Sequence, residues 1–568
     1  MPHAVTAVAP GLQALILCGP GSSFPTFTTN PDENPKALLP IANRPMVWYP
    51  LSFCYRVGIT DITLICPPTA EEALNASLKT NPFLTSLPLP TPTLLAPKDL
   101  TYNTGTADIL RLPEVREAVT QNFIVLPCDL VCELGGDQLV QAWMVRSAKL
   151  EGMFTEQQST HEPRSGGLGV WYDTKASPIK GEETDFVITT PSPELPVAPP
   201  KDSVLTRLQN VVYSMPKDTL NDITDDNEGF PIRHGLLRAH SRIRMVSSHR
   251  DAHVYIFPRW VMDLVKENPH MESIAEDVVG WWAKATWQNG LGAKLGLDRI
   301  LGTSSDEQSS ETSQTSSPST PTKADRPTLP KRLSSVPDKF QVPHMTAYIH
   351  PSGPTDPLIR RVDTAQALLS VSLQLAKLPS LEETGVAAAT SPFAHSRKVA
   401  YPEGVRPKTT ITRPDSLVAD NVIVEEKVSI KESVIGANCK IEEGAKLQGC
   451  LLMDGVVVGK GCRLVRCILG KRSQIGEGST LMECEVQENL LVEPKSEFDP
   501  SSHPFSLHVR TYMSAAICEV LLTLVDSTPV AEEKNTKIMS SSGLEATEEE
   551  MQEVLEAMSD VEIGDETK

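Results

Sequence analysis

The sequence contains no apolar run of about 18 residues, the length that a membrane-spanning helix needs, so we expect no transmembrane segment. No Lys or Arg precedes Lys36, and the apolar stretch 15–18 is too short for the core of a secretion signal. The 11 cysteines are odd in number and include no CxxC pair. Scattered cysteines in a large chain are typical of reduced thiols, so the sequence predicts a protein of the cytosol.

Positive charge is also scarce in this chain. The 52 Lys and Arg residues are outnumbered by 72 Asp and Glu residues, and the formal net charge is −20. A broad nucleic-acid surface needs Lys and Arg in excess, so the composition argues against direct nucleic-acid binding. The length of 568 residues and the hydrophobic content of 40% predict two or three globular domains.

Short apolar runs alternate with helical patterns from residue 12 to residue 300. The runs that predict strands lie at 12–17, 61–66, 123–126 and 253–257, and the helical patterns lie at 45–57 and 260–267. This alternation predicts a Rossmann-like α/β domain whose parallel or mixed sheet is covered on both faces. We expect the domain to comprise residues 1–302 and to end with residues 341–400.

Two polar stretches interrupt that pattern. Residues 188–202 are Pro-rich and predict an exposed loop. Residues 303–340 are rich in Ser, Thr and Pro, and they cannot bury enough apolar surface to offset the entropy of ordering. We expect a disordered insertion there. Its Ser-Pro and Thr-Pro pairs are candidate phosphorylation sites, and a plain linker is the alternative.

A repeat of six residues begins near residue 417. Its apolar positions are Leu417, Ile423, Ile435, Ile441, Leu447, Met453 and Val465, followed after a slip of four residues by Leu469, Ile475 and Leu481. One inward aliphatic residue per hexapeptide predicts a left-handed parallel β-helix over residues 411–493, and an ordinary antiparallel β-domain is the alternative. Some hexapeptide β-helices carry acyltransferase sites, but these need a catalytic His, and residues 411–490 contain none.

Residues 494–568 break the repeat. They include an apolar run at 514–525 to which the sequence assigns no function. Thr547 and Glu550 form a capping-box pattern that predicts a short acidic helix. We expect an irregular insertion followed by an acidic tail, which is either solvated or docks a basic partner.

The segment 15–51 holds the motifs that point to chemistry. An apolar run turns at Gly19 and Gly21, and a second loop offers Pro35 and Lys36 before another apolar run. This is the outline of a loop that approaches phosphate, yet no Lys or Arg stands between Gly21 and Pro35. A loop that handles a nucleoside triphosphate needs cations to neutralise the phosphates, so the outline and the missing charge are in conflict.

These motifs resemble the opening motifs of the sugar-nucleotide pyrophosphorylases, a nucleotidyltransferase family. The residues that match the second and more specific motif are Pro35, Lys36, Leu38, Leu39, Pro40, Pro45 and Tyr49. The resemblance implies that Thr104, Gly105 and Thr106 lie against the base and sugar of a nucleotide. It also implies that Asp129 is a magnesium ligand, and it places Arg361 where the family has a second metal-binding Asp.

The chain departs from that family at two charged positions. The Arg of the first motif corresponds to Ser23, and Arg361 reverses the charge of the second metal ligand. Asp363 lies two residues further on. Along a strand this moves the side chain by roughly 6 to 7 Å, which is too far for Asp363 to replace a metal ligand at position 361. We therefore expect no catalytic residue, no metal and no cofactor. What is expected is a vestigial nucleotide pocket made of Gly19, Gly21, Lys36, Thr104, Gly105, Thr106 and Asp129. The alternatives are a solvated loop residue for Lys36 and a helix cap for Asp129.

A damaged nucleotidyltransferase-like domain followed by hexapeptide coils resembles the gamma and epsilon subunits of eukaryotic translation initiation factor 2B. The resemblance covers most of residues 12–130, 248–300 and 411–490. The epsilon type adds a large helical catalytic domain after the coils, whereas about 75 residues follow Val492 here. The resemblance therefore favours the gamma type.

This resemblance implies a set of partners. The chain would pair with the epsilon subunit, join the alpha, beta and delta subunits, and support GDP/GTP exchange on translation initiation factor 2 without catalysing it. No nucleic acid or membrane is expected as a direct partner. The alternative is an active sugar-nucleotide pyrophosphorylase of the mannose-1-phosphate guanylyltransferase type.

Overall fold

The computed structural model describes residues 10–101, 103–147, 165–175, 177–193, 198–200, 203–226, 229–302, 342–351, 353, 356–385, 391–399, 404–406 and 408–498. The predicted insertion at 303–340 and the predicted acidic helix lie outside these residues, as does the apolar run 514–525. None of the helices in the described part of the chain is long and apolar enough to cross a membrane.

The N-terminal domain is built around one large sheet. Its strands and the strands of the two small two-stranded sheets beside it are β1 Gln13–Leu17, β2 Pro40–Ile41, β3 Arg44–Pro45, β4 Ile62–Ile65, β5 Thr93–Leu95, β6 Phe123–Pro127, β7 Leu130–Cys132, β8 Gly167–Asp173, β9 Asp185–Pro191, β10 Leu208–Pro216, β11 Arg244–Phe257, β12 Met345–His350 and β13 Ile359–Arg361. Nine of these strands form the sheet, in the order β5-β4-β1-β6-β11-β8-β12-β10-β9.

Helices cover this sheet. The α-helices are α1 Trp48–Val57, α2 Glu71–Thr80, α3 Pro82–Thr85, α4 Thr106–Arg111, α5 Pro113–Ala118, α6 Gly136–Ser147, α7 Lys217–Asp226, α8 His234–Ala239, α9 Val261–Glu267, α10 Val279–Ala285, α11 Leu291–Lys294, α12 Leu297–Gly302, α13 Ala365–Ala376 and α14 Leu381–Thr384. Turns of 3₁₀-helix lie at Lys36–Leu38, Pro68–Ala70 and Val204–Arg207, and a π-helical turn lies at Ile274–Val278.

The sheet is parallel in one half and mixed in the other. Strand β1 runs parallel to β4 and β6, and β4 runs parallel to β5. Beyond β6 the pairs β11–β6, β11–β8, β10–β9 and β10–β12 are antiparallel, whereas β12 runs parallel to β8. Because β9 also pairs antiparallel with β11, the mixed half closes into a ring of five strands. The sequence predicted a parallel or mixed sheet, and the sheet is mixed.

Both faces of the parallel half are covered, because side chains of a strand point to alternate sides. Ala14 and Ile16 belong to one apolar cluster, which α1, α6 and α13 share. Leu15 between them belongs to a second cluster on the opposite face, which α4, α9 and α10 share. This arrangement accounts for the short, uninterrupted apolar runs of β1, β4 and β6, since a strand buried on both faces has no polar side.

The predicted exposed loop at 188–202 begins too early. Residues 188–191 complete strand β9, where Thr189 and Thr190 are buried. The prediction gave the prolines more weight than the β-branched Ile-Thr-Thr that precedes them, and such residues favour strands. The Pro-rich loop starts after Pro191, the last residue of β9.

The C-terminal domain is a three-sided parallel β-helix. Its strands are β14 Thr410–Ile411, β15 Leu417–Val418, β16 Ile423–Val424, β17 Ser429–Lys431, β18 Val434–Ile435, β19 Lys440–Ile441, β20 Lys446–Gln448, β21 Leu451–Leu452, β22 Val457–Val458, β23 Arg463–Val465, β24 Ile468–Leu469, β25 Gln474–Ile475, β26 Thr480–Met482, β27 Glu485–Val486, β28 Leu491–Val492 and β29 Glu497–Phe498. They form three parallel sheets, and every third strand belongs to the same sheet. All the ladders pair in parallel, so the antiparallel alternative is wrong.

The inward residues of the β-helix do not follow the lattice that the sequence predicted, which had a period of six and one slip of four residues. Ile435, Ile441 and Leu447 lie six residues apart in the interior cluster, but the next inward residue, Leu452, follows after five. One coil therefore has 17 residues, which is the distance in sequence from Ile435 to its partner Leu452 on the next coil. The short side ends at a single residue with positive φ, as at Glu432.

Four residues of the predicted lattice consequently lie outside the interior cluster: Leu417, Ile423, Met453 and Val465. Ile423 is 47% exposed, and Leu417 packs with the N-terminal domain instead of the interior. Their neighbours Val418 and Val424 take the inward positions. One side of each coil advances the chain by five residues instead of six. A lattice with a period of six therefore moves out of register with the inward positions by one residue per coil.

One side of the β-helix is buried against the N-terminal domain. The outer residues of β15, β18, β21 and β24 join the apolar cluster that contains the face of α13. Helix α13 packs directly on β18 and β21. The outer residues concerned are Leu417, Val434, Leu451 and Ile468. These four strands are therefore apolar on both of their faces, and the two domains share a core.

Candidate functional site

The residues that the sequence connects with nucleotide chemistry lie where two parallel strands end. Gly19 follows β1, and Asp129 follows β6. Since β1 and β6 are parallel neighbours, their carboxyl ends meet at one edge of the sheet. Lys36, the first residue of its 3₁₀ turn, reaches Asp129 at this edge.

Asp129 is the centre of the site. Lys36 Nζ lies 2.7 Å from Asp129 Oδ2, and Arg361 Nε lies 3.4 Å from Asp129 Oδ1. The Asp129 side chain is 2% exposed. Strand β13 pairs with β7 so that Arg361 stands opposite Leu130, which brings the guanidinium to the carboxylate. Both oxygens of Asp129 are therefore occupied by cations of this chain.

The electrostatics of the three groups favour their charged forms. Burial by itself would raise the pKa of the Asp129 carboxyl, but Lys36 and Arg361 hold it well below its usual range. Burial opposes the charge of Lys36, yet Asp129 raises the pKa of that ammonium above its ordinary value. The same balance, dominated by burial and then by Asp129, raises the pKa of Arg361. Lys36 is thus a buried ion-pair partner and Asp129 a buried carboxylate, which differs from a solvated loop residue and a helix cap.

Asp363 reaches the same site, contrary to the distance argument made from the sequence. Strand β13 ends at Arg361, so the chain does not continue in strand geometry to Asp363. Arg361 Nη2 lies 3.7 Å from Asp363 Oδ2, while Arg250 Nη2 lies 2.5 Å from the same oxygen. One guanidinium therefore stands between two carboxylates, Asp129 and Asp363, in the kind of position that a bridging cation would take.

The ion pairs continue away from this centre. Arg250 Nη1 lies 3.7 Å from Glu182 Oε1, and Arg360 Nη1 lies 2.8 Å from Glu182 Oε2. The Arg360 guanidinium also stacks over the ring of Tyr172, 5.3 Å from its centroid. Nothing in the sequence marked Arg250, Glu182 or Arg360, because they come from three separate strands or loops that only the tertiary structure joins.

The glycine turn after β1 is held by its own chain. Gly21 has a φ of +90°, and a Cβ there would lie 2.9 Å from Thr28 Oγ1. The Thr28 hydroxyl bonds the carbonyl oxygens of Gly21 and Phe24 at 2.9 and 2.8 Å. Ser23, which the resemblance of the first motif aligns with an Arg, is exposed. The turn keeps its shape without offering a cation.

Thr104, Gly105 and Thr106 stand at the start of α4, and each is bound to nearby backbone. Thr104 Oγ1 accepts from Thr101 N–H at 2.9 Å, and Thr106 Oγ1 accepts from Ile274 N–H at 2.9 Å. A Cβ on Gly105 would lie 2.3 Å from the carbonyl oxygen of Glu272. In the described structure, the hydroxyl groups of Thr104 and Thr106 are thus bound to the protein's own backbone.

A pair of buried carboxyl groups lies behind the ion pairs, and the sequence did not indicate it. Asp251 N–H donates to Asp185 Oδ2 at 2.6 Å, and the hydroxyl of Tyr255 donates to Asp251. Burial, reinforced by Asp185, raises the pKa of Asp251 to about 7. Burial likewise raises the pKa of Asp185 to about 6. His253 lies between Asp251 and Tyr255 in sequence. It has a φ of 52° at an irregularity in β11, which brings Asp251 and Tyr255 into contact.

The β-helix holds the segment between the glycine turn and Lys36. Glu488 accepts from the backbone N–H of Asn30 at 3.3 Å and from the side-chain amide of Asn34. Arg472 Nη2 lies 2.7 Å from Glu33 Oε2. The segment that would approach a triphosphate in an enzyme is therefore bound to the last coils of the neighbouring domain.

The charged side chains of the site neutralise one another through ion pairs. In the described part of the chain, no cluster of three or more His, Cys, Asp or Glu residues is placed to hold a metal ion. A magnesium-dependent transfer needs carboxylates that are free to bind the ion and cations that are free to bind phosphate. Here those groups bind one another.

Comparison with known proteins supports both domains. The nucleotidyl transferase family model matches residues 30–170, and the model for the LbH, or left-handed β-helix, domain of the epsilon subunit of eIF2B matches residues 402–498. With the observed strands, these matches show a nucleotidyltransferase-like domain followed by a left-handed parallel β-helix.

The chain is also similar to two curated proteins called translation initiation factor eIF2B subunit gamma. The protein of Schizosaccharomyces pombe is 27% identical over 294 residues, which are 52% of this chain and 56% of that protein. The protein of Caenorhabditis elegans is 22% identical over 269 residues, which are 47% of this chain and 57% of that protein. The chain therefore spans a little more than half the length of the curated relatives it matches.

Proposed function

From the premise that this chain joins a nucleotidyl transferase domain to an eIF2B-type LbH domain and resembles eIF2B gamma subunits, we propose that it is a non-catalytic subunit of a guanine-nucleotide exchange factor. Its substrate factor is translation initiation factor 2. It pairs with the epsilon subunit and joins the alpha, beta and delta subunits of that complex in the cytosol.

The observation that carries the non-catalytic part is the position of Arg361. Its guanidinium contacts Asp129, the expected magnesium ligand, at 3.4 Å and the nearby carboxylate of Asp363 at 3.7 Å. A divalent cation at this place would have to displace a buried guanidinium, which costs several kcal/mol per desolvated ion pair broken. Lys36, which matches the Lys of the second motif of the resembled family, is bound to Asp129.

We propose that the vestigial pocket persists as architecture. Gly21 shapes the turn, Thr106 ties α4 to residue 274, and the Lys36–Asp129 pair joins the ends of two strands. In this role the residues stabilise the N-terminal domain and the surface that it presents to other subunits. Neither a cofactor nor a metal takes part.

Pyrophosphate release tests the non-catalytic part. The full chain would be incubated with GTP, mannose 1-phosphate and Mg²⁺, with an active mannose-1-phosphate guanylyltransferase as the positive control. We expect release at the level of a reaction without protein. Turnover in the usual enzyme range of about 1–10³ s⁻¹ would establish the pyrophosphorylase alternative instead.

Nucleotide exchange tests the role in the complex. Release of fluorescent GDP from translation initiation factor 2 would be measured with the epsilon subunit alone, with this chain alone, and with both. We expect no activity from this chain alone and faster release from the pair than from epsilon alone. An unrelated protein added at equal mass is the control, and equal rates with and without this chain would refute the assignment.

Co-purification tests the partners separately from the exchange rate. A tagged full chain would be isolated from extract of its own cells, and the bound proteins would be identified. We expect the epsilon subunit in a near one-to-one ratio together with the other three subunits. Recovery of the chain without the epsilon subunit would contradict the proposed pairing.

A further inference from the structure

A second candidate site lies at the far end of the closed ring of strands. A groove of about 700 Å³ opens where β9 ends and where β10 and β11 begin. It is lined by residues of these strands, of α6 and of the loop after β9. It shares no lining residue with the Lys36–Asp129 site, and the proposed function does not use it.

The charge of the groove is opposite to that of the chain. Arg146, Arg242 and Arg244 line it, and no Asp or Glu is among the described residues that do. Across the described residues, no carboxylate oxygen lies within 4.0 Å of these three guanidinium groups. The formal net charge of the whole chain is −20, so three arginines in one groove without an acidic partner in the described part of the chain are a marked local excess. An excess of this kind attracts anions.

Arg146 contributes a donor without an acceptor. Its Nη1 donates to the carbonyl oxygen of Pro193 at 2.7 Å, which fixes the guanidinium against the wall of the groove. Its Nε is shielded from solvent and has no hydrogen-bond partner. A shielded donor is unfavourable until an acceptor satisfies it, and an anion in the groove would supply one. Burial lowers the pKa of Arg146, which is consistent with a charge that lacks a counterion.

Among the uncharged polar residues of the groove, Gln209 is also set up to donate. Gln209 accepts through Oε1 from the Thr189 hydroxyl, which leaves its Nε2 as the free end of the amide. Ile243 packs partly against the small apolar cluster of β9 and β10, and the exposed Arg242 and Arg244 flank it. The guanidinium groups are thus carried by an anchored segment, and the groove offers donors from several sides.

We propose that this groove binds a small phosphate-bearing anion that has no aromatic base. Three guanidinium groups match the charge of two phosphates, and the planar fork of Arg fits phosphate oxygens in pairs. The volume is in the range of small-molecule pockets. None of the described residues that line the groove is aromatic, so these residues offer no surface on which a nucleobase would stack.

Calorimetry with inorganic pyrophosphate tests this inference on the full chain at 150 mM salt. The variant R242Q/R244Q removes two charges from the groove. The matched control R233Q/R238Q removes two charges from exposed arginines in and beside α8 that do not line it. We expect at least about tenfold weaker binding in R242Q/R244Q, since bonds to charged groups are the strong ones, and wild-type binding in the control. Any pyrophosphate held at the Lys36 site contributes equally to all three proteins.

Three results would overturn the proposal. Equal weakening in both double variants would show that only net charge matters, and the absence of a difference among the three proteins would exclude the groove. A glutamate-rich peptide that binds while pyrophosphate does not would assign the groove to an acidic protein segment. Hydrogen exchange provides a second readout, because pyrophosphate is expected to slow exchange at residues 205–209 and 242–246 in wild type but not in R242Q/R244Q.

Discussion

Replacing Lys36 by Met removes one cation from the buried carboxylate of Asp129 and keeps the length of the side chain. Breaking a buried ion pair from one side costs about 3–5 kcal/mol, because the other charge stays buried. Arg361 remains 3.4 Å from the second oxygen of Asp129 and compensates in part. We therefore expect K36M to lower the free energy of unfolding of the N-terminal domain by about 2–4 kcal/mol. A solvated loop lysine would cost less than about 0.5 kcal/mol.

Urea unfolding followed by tryptophan fluorescence measures this effect in the full chain. All 7 Trp residues lie between positions 48 and 287, so the signal reports on the N-terminal domain alone. With slopes of about 1–3 kcal/mol per molar urea, the expected loss moves the midpoint by about 1 M or more. The control is K79M on the exposed side of α2, for which we expect no shift beyond the error.

The pH dependence gives K36M a second, independent signature. The pKa of Asp129 in the folded protein lies below its unfolded value of about 3.9. The ionised carboxylate therefore stabilises the fold above pH 4, and this stability is lost as the pH falls toward the folded pKa. The difference between wild type and K36M should accordingly shrink below pH 4.

A double variant completes the test. K36M/D129N removes both charges of the pair, so its loss should be smaller than the sum of the two single losses by at least about 1 kcal/mol. A K36M loss within the error of the K79M control would refute the argument. Additive effects of the two substitutions would refute it equally.

Three further predictions follow from burial and charge elsewhere in the chain. In the β-helix, L452A should cost about 2–5 kcal/mol in a denaturation monitored by circular dichroism, because this side chain is fully buried. L491A, whose side chain is 64% exposed, should cost less than about 1 kcal/mol; equal losses would refute the 17-residue coil. E488A removes the acceptor of residues 30 and 34, so amide exchange across 24–34 should accelerate while the interior of the β-helix keeps its protection, and unchanged exchange would contradict the clamp. Because burial raises the pKa of Asp251 to about 7, the folded state holds an extra proton between pH 4 and 7 and its stability should fall as the pH rises through that range. D251N should flatten this slope in urea titrations at pH 5 and pH 7, and an unchanged slope would rule Asp251 out as its source.

Much of the fold could be predicted from local pattern. The strands β1, β4 and β6 were predicted within two residues, because runs such as ITLI and FIVL are too short and too uniformly apolar for a surface helix. The helical pattern of apolar residues predicted α1, and the regularly recurring aliphatic residues predicted the repeat of the β-helix. The boundaries of the predicted repeat at 411–493 and of the observed strands at 410–498 differ by a few residues.

The prediction was wrong where one element depends on another. The predicted lattice, with its period of six and one slip of four residues, missed the short third side of each coil. The corner of that side is a single residue with positive φ, such as Glu432 or Arg466. Neither Glu nor Arg favours positive φ, so the sequence does not predict this conformation. The outward position of Leu417 was missed as well, since its apolar surroundings come from the other domain.

The sequence by itself determined that the first domain lacks the arginine of its related enzymes, that Lys36 and Asp129 are present, and that a coiled repeat follows. Only the tertiary structure decided that Arg361 lies between Asp129 and Asp363 and that Arg250 pairs with Asp363. The physical reason is that composition and period act along the chain, whereas charge neutralisation depends on distances between atoms of residues more than a hundred positions apart. A carboxylate and a cation can each be read from the chain, but whether they bind a metal, a phosphate or one another is settled in three dimensions.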